Sequence, residues 1–199
     1  MKMNSHSLTL GTVQSDSDAL ADIFSFLSML MRYPETEFFD SEFLNSLESL
    51  LTSLDLRKEQ QLIADWRAST ENPLLNAQLA YTRLFINGTP HVVAPPYASV
   101  YQDGDKTYQG KTTEKTRAFY REYGFDLASE SEPADHIRFE LEFISSLFRE
   151  QQFEAGDVFI RTFFLPWVTK FHKKILAEGG HPLYLVSLQL ITFFTQEEQ

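Results

Sequence analysis

From Asp18 onward the apolar positions recur at three- and four-residue spacing, the period of a helix with one buried face. Leu20, Ile23, Phe24, Leu27, Leu30 and Met31 form the first stripe, with Ser17 or Asp18 in place to cap it. Pro34 ends it, because the proline ring keeps the residue before it out of the α region. A second run spans 36–54 through Phe38, Phe39, Phe43, Leu44, Leu47, Leu50, Leu51 and Leu54, and a third spans 58–68 with Leu62, Ile63 and Trp66 inward. Asn72-Pro73 supplies a cap and a first-turn proline for a fourth helix that continues to Ile86. Helices resume at 113–123, where Gly124 reads as the residue past a helix C-terminus. Pro133 is expected to open the strongest helix: Ile137, Leu141, Ile144 and Phe148 lie at spacings 4, 3 and 4, with Arg138, Glu142, Ser145 and Arg149 on the wet side. Runs at 157–177, stopped by Gly179-Gly180, and 182–195, apolar nearly all round, complete an all-α pattern of about eight helices.

Three segments stand outside this pattern. Residues 1–17 are polar and rich in Ser and Thr, and are expected to form a flexible N-terminal segment ahead of one helical domain over 18–199. Residues 87–112 carry Gly88, Pro90, Pro95, Pro96, Gly104 and Gly110. A loop this long in a compact domain is usually functional or a hinge; Asp103-Gly104 suggests a turn pairing 100–102 with 106–108. The acidic stretch 126–132 is a second candidate hinge.

Composition adds constraints. The chain has 199 residues, 43% hydrophobic and 23% charged, a globular balance. Phe is in excess, 18 against 8 Tyr and 2 Trp, which points to an aromatic core or an aromatic-lined groove. The net charge is −11, and both halves are acidic: 6 basic and 12 acidic residues in 1–100, 11 and 16 in 101–199. Neither half suits a polyanion, so nucleic acid is not an expected partner. There is no Cys, which excludes disulfides, thiolate metal sites and a Cys nucleophile. No apolar run has signal-peptide or membrane-spanning form, so no membrane insertion is expected and the chain reads as soluble and cytoplasmic.

Catalytic motifs are missing. The histidines are His6, His91, His136, His172 and His181, no two at i, i+4, and no metal or other cofactor is expected. The stretch from Gly104 to Gly110-Lys111-Thr112 looks like a phosphate loop, but five residues separate its glycines where the motif has four, and no strand precedes it. An exposed turn-rich loop is the plainer reading.

Three further segments are unusual for a plain bundle. Tyr81-Thr82-Arg83-Leu84-Phe85 closes the fourth helix, Pro95-Pro96-Tyr97-Ala98-Ser99-Val100-Tyr101 lies in the long loop, and Pro133-Ala134-Asp135-His136-Ile137 precedes Glu140-Leu141-Glu142-Phe143. Each has a bland reading: core packing for Leu84 and Phe85, loop stiffening for the prolines, a helix-start charge for Asp135. In this order and spacing, with Tyr120 or Tyr123 and Gly124 between them, they resemble the TorD/DmsD family of molybdoenzyme-maturation chaperones, over about 20–194. Pro96 stands where the family pattern accepts several residues.

The resemblance implies a non-enzymatic, all-helical cytoplasmic chaperone. Such proteins bind the twin-arginine signal peptide of a molybdenum-cofactor oxidoreductase and delay its export until the cofactor is loaded. Two arginines followed by an apolar stretch call for an apolar groove with carboxylates at its rim. The resemblance assigns Tyr81, Leu84, Phe85, Pro96, Tyr97 and Ser99 to peptide binding, Asp135, Glu140 and Glu142 to the arginines, and His136 to a peptide carbonyl. It also implies the client's body as partner, and a monomer or a domain-swapped dimer. The alternatives are a helical adaptor without leader specificity, or a weak nucleotide-binding switch using the 104–112 loop.

Overall fold

The computed structural model describes residues 5–88, 92–104, 109–127 and 132–196, with side chains from residue 16. The elements are α1 (Ser5–Leu30), α2 (Ser41–Ser53), α3 (Arg57–Ser69), α4 (Pro73–Tyr81) with a π-helical continuation Thr82–Ile86, α5 (Ser99–Gln102), α6 (Lys111–Glu122), α7 (Ile137–Arg149), α8 (Phe153–Phe159), which runs through a π-helical segment Ile160–Phe164 into α9 (Leu165–Ala177), and α10 (Pro182–Thr195). Among the described residues there is no strand; Tyr97 and His136 form an isolated antiparallel bridge. The all-α expectation holds, and each of the eight periodic runs has its helix.

The boundaries differ in instructive ways. Helix α1 begins at Ser5, not near Asp18: residues 5–17 are helical although they carry no apolar stripe. Helix α2 begins only at Ser41, where Asp40 caps it by accepting from the Phe43 N–H at 2.9 Å. Residues 100–102, expected to pair as a ribbon, are the helical turn α5; their expected partners 106–108 lie outside the described residues. Helix α7 does not open at Pro133. Residues 133–135 make a turn, closed by the His136 N–H on the Pro133 carbonyl, and His136 is the N-cap.

The chain divides into two compact units, each assembled from separated stretches: Met1–Met29 with Tyr97–Lys170, and Leu30–Pro96 with Phe171–Gln199. The acidic stretch 126–132 falls inside the first unit; its residues 128–131 lie outside the described ones.

In the first unit α7 is the organising helix. Hydroxyls tie it to α1: Ser17 donates to the Phe148 carbonyl, Ser145 to Ala21 at 2.6 Å, and Ser28 to Arg138 at 2.9 Å. These bonds satisfy buried polar groups at close helix approach. The phenylalanine excess is spent here. Phe143 packs on Tyr120 at 4.5 Å and on Phe159 at 4.9 Å, and Phe159 stacks on Phe163 at 5.2 Å. Offset and edge-on ring pairs of this kind add about 0.5–1.5 kcal/mol each beyond simple burial.

The second unit packs the apolar faces of α2, α3 and α10. Phe43, Leu44, Leu47 and Leu51 are buried from α2, Ile63 and Trp66 from α3. His181 caps α10: its Nδ1 accepts from the Leu183 N–H at 3.2 Å, while Nε2 meets Asn76 Oδ1 at 2.7 Å. The Trp66 indole N–H donates to the same Asn76 oxygen at 2.8 Å. With Nδ1 accepting, the ring is neutral and its proton sits on Nε2. Gly179, at φ 63, ends α9 in the left-handed region that glycine enters without strain.

Candidate functional site

The singled-out residues divide between the units. Tyr81, Leu84, Phe85 and Pro96 belong to the second; Tyr97, Ser99, Asp135, His136 and Glu140 belong to the first. All are buried except Tyr97, which is half-buried.

In the second unit the Tyr81–Phe85 motif spans the switch from α to π helix. The Asn87 N–H reaches back to the Thr82 carbonyl at 2.7 Å, closing the wider turn. Such π turns occur frequently at functional sites. Tyr81 packs edge-on against Tyr33, Phe85 and Tyr184, and Phe85 also meets Phe171 at 5.7 Å. The Leu84 carbonyl accepts from the Ala94 N–H at 2.8 Å, fastening the long loop to this turn just ahead of Pro95 and Pro96.

In the first unit Asp135 joins three elements. One carboxylate oxygen accepts from the Ser99 N–H at 2.7 Å, the other from the Thr113 hydroxyl at 2.8 Å. Its backbone carbonyl accepts from the Ala98 N–H at 3.0 Å. A single buried aspartate thus holds the start of α5, the first turn of α6 and the entry to α7. Charge-assisted bonds of this sort are about twice as strong as neutral ones. His136 accepts from the Arg138 N–H at 3.1 Å through Nδ1, and its ring meets Tyr97 edge-on at 5.0 Å. Burial, with some help from Arg138, pushes its pKa down to about 3, so it is neutral.

Glu140 lies one turn into α7, fully buried. Trp167 donates its indole N–H to one carboxyl oxygen at 2.8 Å; the other has no hydrogen-bond partner. Burial first, then the charge of Asp135, raises the Glu140 pKa well above the carboxylate range, against the opposing Trp167 bond. The neutral acid is therefore the favoured form. Tyr120, whose hydroxyl donates to the Ala134 carbonyl at 3.0 Å, is likewise held far above the phenol range by burial and then by Glu140, Asp135 and Glu142. Glu142 itself is exposed.

Thr113 and Trp167 were not legible as partners: each lies more than twenty residues from the acid it serves, and neither belongs to a motif. The start of α6 is arranged against phosphate binding. Asp103 occupies the helix start itself, taking the Thr112 N–H at 2.9 Å and the Thr112 hydroxyl at 2.6 Å. A carboxylate there repels an anion and uses the N–H groups that would hold it; residues 105–108 lie outside the described ones. Among the described residues no three His, Asp or Glu side chains converge as metal ligands, and no helix is long and apolar enough to cross a membrane.

The comparisons with known proteins agree with one another. The family model for the nitrate reductase delta subunit matches residues 39–173. The chain is 29% identical over 187 residues to the chaperone protein TorD of Photobacterium profundum, covering 88% of this chain and 78% of that one. It is 27% identical over 200 residues to TorD of Aliivibrio fischeri, covering 94% and 85%. Among solved structures it is similar to a redox enzyme maturation protein of Archaeoglobus fulgidus, at TM-score 0.60 and 27% identity, covering 90% of this chain and 94% of the other. The chain belongs to the nitrate reductase delta subunit family, the TorD/DmsD family of chaperones for redox-enzyme maturation, and it is a chaperone fold without enzymatic function.

Proposed function

We propose that this chaperone acts in the cytoplasm and binds the twin-arginine signal peptide of a molybdenum-cofactor oxidoreductase, holding the client until its cofactor is in place. The observation that carries the reading is the Asp135 clamp. It ties Ala98 and Ser99 of the Pro95–Tyr101 motif, and Thr113 of α6, to the Pro133–Ile137 motif through one buried aspartate, a link that a plain helical core does not need. In this reading Asp135 and Glu140 act as positioning residues. Asp135 fixes the loop that carries Tyr97, and the arginines of the leader are met by exposed carboxylates of the same unit, Glu142 among them. In the second unit Tyr81, Leu84 and Phe85 are buried and act as structural residues of its core.

The test is calorimetric titration of the full chain with the leader of a twin-arginine molybdoenzyme. One peptide should bind per chain, affinity should fall as salt rises because Arg–carboxylate attraction is screened, and replacing both arginines by Gln should weaken binding at least tenfold. Silence with the leaders of every molybdoenzyme in the host sinks the reading.

A further inference from the structure

Helix α6 ends in a motif that builds a small pocket. Tyr123 is the last helical-turn residue, and Gly124 follows at φ 70, a left-handed conformation that glycine adopts without a Cβ clash. The Gly124 N–H bonds to the Arg121 carbonyl at 3.2 Å and the Phe125 N–H to the Tyr120 carbonyl at 2.9 Å. This pair of bonds reverses the chain, and the usual apolar contact accompanies it: the Phe125 ring meets Tyr120 at 5.1 Å. Phe125, Asp126 and Leu127 are thereby folded back along the face of α6 that carries Arg117 and Arg121. Together with Tyr120 they line an open surface pocket of about 70 Å³, at which Arg121 and Asp126 are exposed. One water takes about 30 Å³ of liquid, so the space exceeds a single solvent molecule and suits a small polyatomic group.

The pocket sets two arginines side by side without a carboxylate partner, a lack that Arg83 shares elsewhere in the chain among the described residues. Arg117 and Arg121 are one helical turn apart, a like-charge spacing that disfavours the helix when nothing lies between the two charges. Ion pairs elsewhere engage Arg32, Arg57, Arg67, Arg138 and Arg149. Neither Arg117 nor Arg121 forms one among the described residues, although the chain carries 28 acidic residues. Asp126 also lines the pocket without pairing with either, which leaves a net positive site with the rings of Tyr120 and Phe125 and the aliphatic Leu127 in its wall.

We infer that the Arg117–Arg121 pocket binds an oxyanion, in the form of a phosphate monoester whose apolar body rests on Phe125 and Leu127. Two guanidinium groups offer paired N–H donors that match the oxygens of a phosphate, and the apolar wall selects an ester over the free ion. The site lies wholly in the first unit, at the opposite end of α6 from the Asp103-capped turn, and it does not depend on leader binding.

The probes are phenyl phosphate, inorganic phosphate and benzoate, titrated into the full chain at 150 mM salt and followed by NMR. Phenyl phosphate is expected to produce saturable shifts confined to 117–127, with inorganic phosphate and benzoate each binding at least fivefold more weakly. Arg117→Gln and Arg121→Gln should each weaken phenyl phosphate at least tenfold. Lys115→Gln removes the same charge from an exposed position on the same helix and should change nothing, and Asp126→Asn should tighten binding a fewfold. Shifts that do not saturate, or a Lys115→Gln effect equal to the arginine variants, would overturn the site in favour of general charge attraction. Benzoate binding as tightly as phenyl phosphate would overturn the phosphate assignment.

Discussion

Trp167 donates its indole N–H to Glu140 across 2.8 Å in the core of the first unit, and the second oxygen of that carboxyl faces no partner. An ionised Glu140 would bury a charge beside Asp135 with half of it unsolvated, so the proton stays on. Above the ordinary carboxylate range the folded chain therefore keeps a proton that the unfolded chain has already released. Stability must fall as pH rises through that window. Glu140→Gln keeps an acceptor for Trp167 and cannot ionise. Its urea midpoint is expected to exceed that of the wild type at pH 8, and the gain should shrink toward pH 5. Equal midpoints across that range would show that Glu140 is ionised in the fold at no cost.

His136 and His181 impose the opposite trend. Each caps a helix through Nδ1, an acceptor role that protonation abolishes. Burial lowers His136 to about 3 and His181 to about 4. The unfolded chain takes up these protons near pH 6.5 and the fold does not, so the stability is fully present above 6.5 and is lost as pH falls toward those values. Each such site contributes a slope of about 1.4 kcal/mol per pH unit inside its window. His136→Asn retains a capping acceptor without a titrating ring. Thermal melts between pH 7 and 4 should show a shallower loss in that variant than in the wild type; parallel curves would mean that another group governs the acid limb.

The Asp135 clamp is open to a coupling measurement. Asp135→Ala strands the Ser99 N–H and the Thr113 hydroxyl in a buried site, which should cost about 2–4 kcal/mol. Thr113→Ala removes one of the two bonds and should cost about 1 kcal/mol. Because the two residues touch, the double variant should be less destabilised than the sum, by about 1 kcal/mol. Strict additivity would separate Thr113 from the clamp. Asp135→Asn is milder, since the amide oxygen can serve Ser99 while its N–H₂ donates to the Thr113 hydroxyl; it should melt within a few degrees of the wild type.

Helices with a continuous stripe were legible from spacing alone, α7 above all, because burial of one face imposes the 3.6-residue period. What escaped has identifiable causes. The short α5 sits in a proline-rich stretch and is held by Asp135 and the Ala98 and Ser99 N–H groups, long-range bonds that leave no periodic trace. The start of α7 was misplaced because Pro133 imitates a first-turn proline, while the true cap is a histidine, an uncommon choice. In the first unit Ser99 meets Asp135 and Tyr97 meets His136, but a sequence does not show burial: Asp135, Glu140 and His136 carry polar side chains that read as surface groups, and all three lie in the core.

The phosphate-loop look-alike gives a sharp test of local structure. Asp103 takes both the Thr112 N–H and its hydroxyl, and a Cβ at position 110 would collide with Asp103 Oδ2. Gly110 has φ −87, so alanine meets no backbone strain there and the whole penalty comes from the aspartate. Asp103→Ala should cost about 0.5–2 kcal/mol, the usual value of a lost helix cap. Gly110→Ala must push the carboxylate off the helix start, so it should cost about the same amount. The two changes should then not add. In the Asp103→Ala background Gly110→Ala should cost nothing, or stabilise by about 0.4–1 kcal/mol through the lower freedom of the unfolded chain. Chemical denaturation of the two single variants and the double variant reads this out directly. A Gly110→Ala penalty that persists without Asp103 would mean that the glycine is needed for some other contact, and would reopen the loop as a binding element.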